Sequence, residues 1–106
     1  ETGRTKEALS AISRAVNAYQ EHAEKRPDAF LPDLANTLHN KSLILARIGR
    51  HEEALEAIGR ALSIRWELTR RHPNAFFPEY ARSLVARSHI LATSEQPTRP
   101  STTTTA

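Results

Sequence analysis

Apolar residues return along this chain at three- and four-residue intervals. Ala8, Ile12, Ala15 and Tyr19 stand at i, i+4, i+7 and i+11, and Ala54, Ile58, Ala61, Leu62 and Leu68 draw the same stripe further on. That spacing keeps side chains on one face of an α-helix. No run alternates with a period of two, so no strand is expected. Gly49 stands where a helix ending near Ile48 needs a residue free to take positive φ, and Gly3 holds the equivalent place after a helix expected upstream. Pro27 and Pro73 are read as stops, Asp28 and Asn74 as caps of the helices that follow, with Pro32 and Pro78 in their first turns. The pattern predicts an all-α chain of four helices at about 4–26, 30–47, 50–72 and 76–93, long and short in turn.

The pattern also repeats. Gly3-Arg4-x-x-Glu7-Ala8-Leu9 returns as Gly49-Arg50-x-x-Glu53-Ala54-Leu55, and Pro27-x-Ala29-Phe30-x-Pro32 returns as Pro73-x-Ala75-Phe76-x-Pro78, both at an offset of 46. Residues 3–48 align on 49–94 without a gap at 20 identities in 46. A duplicated unit of helices joined by short connections predicts antiparallel neighbours and an α-solenoid of helix hairpins over 1–94. Residues 95–106 hold two prolines, five threonines and no large apolar side chain, the composition of a flexible Pro/Thr-rich tail.

Composition fits stacked helices. Of 106 residues, 39% are apolar and 6% aromatic, thin for one large core but ordinary for helices packed through Ala and Leu. The absence of cysteine removes disulfides, thiolate metal sites and cysteine nucleophiles. The absence of Met leads us to expect a fragment or processed product that begins at a helix boundary inside a longer array. No apolar run approaches the length of a membrane span, and no secretory signal pattern opens the chain, so a cytoplasmic protein is expected. The formal charge of +3 is dispersed along the chain, with both signs interspersed throughout. A phosphate-binding surface concentrates its cations on one face.

The residues Leu38, Lys41, Ser42, Leu45, Ala54, Ile58 and Ala61 follow the order of bulky and small positions of the tetratricopeptide repeat, and the chain resembles that family over residues 3–93. Ser42, Ala54 and Ala61 would let helices approach closely, while Leu38, Leu45 and Ile58 fill the gaps between them. The period of 46 exceeds the family's usual one, so the unit is similar to the longer repeats of kinesin light chains and of many bacterial signalling proteins. The resemblance implies a concave wall lined by Asn36, His39, Asn40, Leu43 and Arg47 from one short helix and by Arg82, Val85, Ala86, His89 and Thr93 from the next. On such a wall Arg47, Arg82 and the histidines would pair with carboxylates, and Leu43 and Val85 would pack on an apolar anchor of an acidic or amphipathic peptide. The paired asparagines and the carboxylate clamp of some family members are not reproduced here; His39-Asn40 stands at one such place and Val85-Ala86 at the other.

Little in the sequence points to catalysis. The histidines at 22, 39, 51, 72 and 89 include no pair three or four apart, there is no glycine-rich phosphate loop and no G-x-S-x-G, and Asp33 and Glu79 read as first-turn carboxylates favoured by the helix dipole. No catalytic, cofactor or metal residue is assigned. Uncapped solenoid ends are expected to expose Leu9, Ile12, Val16 and Tyr19 at one end and Leu84, Ile90 and Leu91 at the other, with Trp66 at a neighbour contact. Self-association burying on the order of 1,000 Å² follows from that expectation. The Phe76-Phe77 pair, matched by Phe30-Leu31, is expected to pack the start of each short helix onto the preceding long one. The leading reading is a non-catalytic protein-interaction scaffold, with a peptide or a second copy as partner. A helical repeat that binds RNA, resting on Arg60, Arg65, Arg70, Arg71 and Arg87, and a purely structural oligomerisation element are the competing classes.

Overall fold

The computed structural model describes residues 3–95. They form four α-helices, α1 (Gly3–Lys25), α2 (Pro27–Arg47), α3 (His51–Arg71) and α4 (Pro73–Glu95), and no strand occurs among the described residues. The tail expected over 95–106 lies outside them except for Glu95, which ends α4. Each helix packs on the next in sequence, and α2 also touches α4. None of the described helices is long and apolar enough to cross a membrane.

The prolines begin helices where the sequence reading had them end the previous ones. A residue before proline is pushed out of the α region, and proline at the first helical position has no N–H to satisfy there. Arg26 (φ −138°, ψ 75°) and His72 (φ −138°, ψ 74°) therefore each form a one-residue break. The Arg26 N–H donates back to the His22 carbonyl at 2.8 Å, and the Arg26 carbonyl accepts from Ala29 and Phe30 at 3.2 and 3.1 Å. His72 repeats this, donating to Leu68 at 2.8 Å and accepting from Ala75 and Phe76 at 3.1 Å each. Asp28 and Asn74 consequently sit inside α2 and α4 rather than capping them, and Pro32 and Pro78 lie within the helices. The expected alternation of long and short gives way to lengths of 23, 21, 21 and 23 residues.

Gly49 does take positive φ, at 85°. Its N–H bonds to the Ala46 carbonyl at 3.1 Å and the Arg50 N–H to Leu45 at 2.9 Å, the two bonds of a Schellman motif. Gly3, by contrast, is the first described residue of α1.

The core runs through the middle of the stack. Leu34, Leu38 and Leu45 of α2 meet Ala54, Ala57, Ile58 and Ala61 of α3, flanked by Val16 and Ala23 of α1 and by Ala86 and Ile90 of α4. Ser42, Ala54 and Ala61 are fully buried, so the smallest side chains stand where the helices crowd. Leu9 and Tyr19 are partly buried against this core. Val16 and Ile90 belong to it, which corrects the expectation that these two lie on open ends. The physical reason is that α1 and α4 turn these residues toward α2 and α3. Phe30 packs on His22 and Tyr19, with ring centroids 5.0 and 6.4 Å away, whereas Phe77 stays in solvent.

Candidate functional site

Two features set by the helix register dominate the α2/α4 side of the molecule. The first is a shallow depression of about 440 Å³ lined by His39 and Leu43 of α2 and by Arg82, Val85, Ala86 and His89 of α4. Leu43 and Val85 are exposed large apolar side chains on its floor. A second depression of about 340 Å³ adjoins it through Arg82 and is bordered by Asn36, Phe76 and Glu79. Seven of the ten residues expected to line a groove thus border one or the other; His39, Leu43, Val85, Ala86 and His89 border the first, Asn36 the second, and Arg82 both, while Thr93 of α4 is exposed outside them. Asn40 and Arg47 lie exposed on α2 outside them. Arg82 holds a cation in solvent, with Glu79 2.9 Å away on the preceding turn.

The second feature lies beneath. Arg65 of α3 is only 4% exposed and His39 only 5%, although both are polar. Arg65 Nη1 donates to Ser83 Oγ at 2.7 Å and to the Glu79 carbonyl at 3.2 Å, and it lies 3.2 Å from His39 Nδ1. Ser83 Oγ is 2.9 Å from the same nitrogen. A guanidinium has no acceptor, so the tautomer in which both contacts are hydrogen bonds carries its proton on Nε2, with Nδ1 accepting from Arg65 and from the Ser83 hydroxyl. Burial lowers the His39 pKa, and the Arg65 and Arg82 cations lower it further, against a smaller opposing pull from Glu79. His39 is accordingly a neutral ring spent on holding α2, α3 and α4 together, and it does not offer a positive charge to a carboxylate as the sequence reading supposed. Burial also lowers the Arg65 pKa, with the Glu79 carboxylate, 3.9 Å from Nη2, acting in the other direction.

Arg65 was missed as a core residue, yet a signal existed. It falls on the stripe of Ile58, Ala61 and Leu68, the face that α3 buries. Among the arginines weighed for nucleic acid, Arg65 is buried, Arg60 bonds Gln20 of α1, Arg70 pairs with Glu67 at 2.9 Å, and Arg71 lies 3.6 Å from Asp28 and 3.7 Å from Glu67. Arg60, Arg70 and Arg71 are exposed nonetheless, as is Arg87 of α4.

A third surface lies between α3 and α4. Trp66, half exposed, stacks obliquely on Tyr80 with ring centroids 5.3 Å apart. These two, with Leu62, Leu84 and Leu91, line an open apolar groove of about 460 Å³ with Arg87 on its wall. Of the residues expected to mediate self-association, Trp66, Leu84 and Leu91 are brought together here, and Ile12 is half-buried on α1. Comparison of the chain with protein-family profiles, with curated proteins and with solved structures gives no match.

Proposed function

We propose that the chain is a non-catalytic interaction scaffold of an intracellular protein, an α-solenoid of antiparallel hairpins akin to tetratricopeptide repeats, which captures an acidic or amphipathic peptide on its α2/α4 face. The observation that carries the reading is the depression in which Leu43 and Val85 form an apolar floor beside the Arg82 guanidinium. An apolar anchor flanked by carboxylates matches that surface, the side chain desolvating against the floor while a carboxylate bonds Arg82. Support for the hairpin arrangement comes from Asp28 at the start of α2 meeting Arg71 at the end of α3, while His39 and Arg65 meet midway. The one-residue links at Arg26 and His72, joining consecutive helices that pack on each other, fit the same arrangement.

Glu79 competes for Arg82 in the free protein, which gives the binding a signed test. Titrated with a fluorescein-labelled peptide of Asp and Glu around a single Leu, the chain should bind saturably. Arg82→Gln should weaken that binding by about tenfold, the scale of one lost charge-assisted bond, and Glu79→Gln should strengthen it. Equal affinity for a lysine-substituted peptide, or both variants moving affinity the same way, would refute peptide capture. Steeply salt-dependent binding to single-stranded RNA would favour the nucleic-acid reading instead.

A further inference from the structure

The 46-residue repeat supplies an internal template for the α3/α4 groove. At that offset Leu84 and Leu91 correspond to Leu38 and Leu45, and Arg87 corresponds to Lys41. Leu38 and Leu45 are each 1% exposed because α3 covers them, with Ala57 against them and Glu53 on the rim facing Lys41. Leu84 and Leu91 are 41% and 40% exposed. Among the described residues, the groove is therefore the next seam of the same stack with no helix lying in it. The helix that would fit is the counterpart of α3, and that is α1, where Ala11 stands for Ala57, Glu7 for Glu53 and Arg14 for Arg60. On α1, Ala8 and Ala11 are exposed, although their counterparts Ala54 and Ala57 are buried.

We infer that the α3/α4 groove of one copy receives the outer face of α1 from a second copy, in the register of the internal α2/α3 seam. The inference rests on the stacked-repeat reading and not on peptide capture, so titration and sedimentation can fail separately. Charge and chemistry agree with that register at two counterpart positions. Lys41 lies close enough to Glu53 to help depress its carboxyl pKa, behind the Arg50 bond that does so most; in the new seam Arg87 would face Glu7 of the second copy. Arg60 bonds Gln20 across α1 and α3; the counterparts bring Arg14 of the second copy to the face of Trp66, a cation on an aromatic ring.

Such a contact is head-to-tail. It leaves one α1 face and one groove free on every dimer, so association should pass beyond two copies. Sedimentation equilibrium of the chain should show a mass rising through the tens of micromolar without a plateau at a dimer. Ala11→Glu spoils only the head and Leu84→Glu only the tail, and each should be monomeric at those concentrations. Mixed in equal amounts, they should form a one-to-one dimer that grows no further, because only one intact head meets one intact tail. Should either variant prove unfolded by circular dichroism, the rim pair replaces it: Glu7→Arg and Arg87→Glu should each weaken association, and their mixture should restore it. A monomeric wild type, which would leave the groove to a different helix or partner, overturns the inference. So does a closed dimer, or a mixture no more associated than its components.

Discussion

Arg65 is the residue on which three helices converge. Its hydrogen bonds to Ser83 Oγ and the Glu79 carbonyl, together with the close approach of His39 Nδ1, satisfy groups that would otherwise be stranded beside the core. Removing one partner from such a buried set exposes the others' desolvation, so Arg65→Ala should lower unfolding stability by about 3 kcal/mol and Ser83→Ala by about 1 to 2 kcal/mol in urea titrations. A loss under about 0.5 kcal/mol for Arg65→Ala would mean the cluster contributes nothing to the stack. His39 adds a pH signature. Its folded pKa lies below its ordinary value of 6.5, so the unfolded chain takes up the proton first as pH falls. The stability linked to His39 is complete above that value and is lost as pH drops below it toward the folded pKa. The stability gap between wild type and His39→Gln should hence narrow from neutral pH to mildly acidic pH, and parallel profiles would contradict a buried neutral ring. None of this was legible from the repeat, since Arg65 aligns with Tyr19 and His39 with Val85. Only the stripe that puts Arg65 between Ala61 and Leu68 hinted at burial.

At the scale of the element, periodicity found four helices and missed how they join. In sequence both prolines read as terminators because proline cannot continue a helix, but proline is equally at home at its first position, and the backbone chooses the latter at Pro27 and Pro73. The break then shrinks to one residue, and the helices come out nearly equal in length. Gly49 stands with a described helix on each side and takes the positive φ its place called for, whereas what precedes Gly3 lies outside the described residues. Gly49, in the turn after α2, and Gly59, inside α3, predict opposite signs. Gly49→Ala places a side chain at φ 85° in open space, so its cost is conformational, about 1 to 2 kcal/mol. Gly59 lies inside α3 with nothing within 4 Å of an added Cβ, and Gly59→Ala should stabilise the monomer by up to about 1 kcal/mol. Thermal melts in the Leu84→Glu background would show both, and a stabilised Gly49→Ala would contradict the Schellman geometry.

For the whole molecule, the repeat was plain in the sequence, but the apolar residues it would leave exposed were not. Val16 and Ile90 carry the hydrophobic pattern of an open end and are nevertheless buried, while Trp66, Leu84 and Leu91, on the same kind of stripe, line an open groove. Pattern alone reports that a residue is apolar on a helix face; which neighbour covers that face depends on the order of helices in the stack. On the opposite side, the depression at Leu43 and Val85 brought together residues expected from the family resemblance, though it spent His39 on the fold. The central claim is that the internal seam between α2 and α3 is continued outward between copies. The chain contains no cysteine, which allows a direct measurement of the register. Glu7→Cys copies mixed with Arg87→Cys copies and treated with a short bis-maleimide should give the mixed cross-link far in excess of either like pair, because these positions correspond to the Glu53 and Lys41 that share one seam. Like pairs predominating, or no cross-link at concentrations where the chain associates, would contradict it.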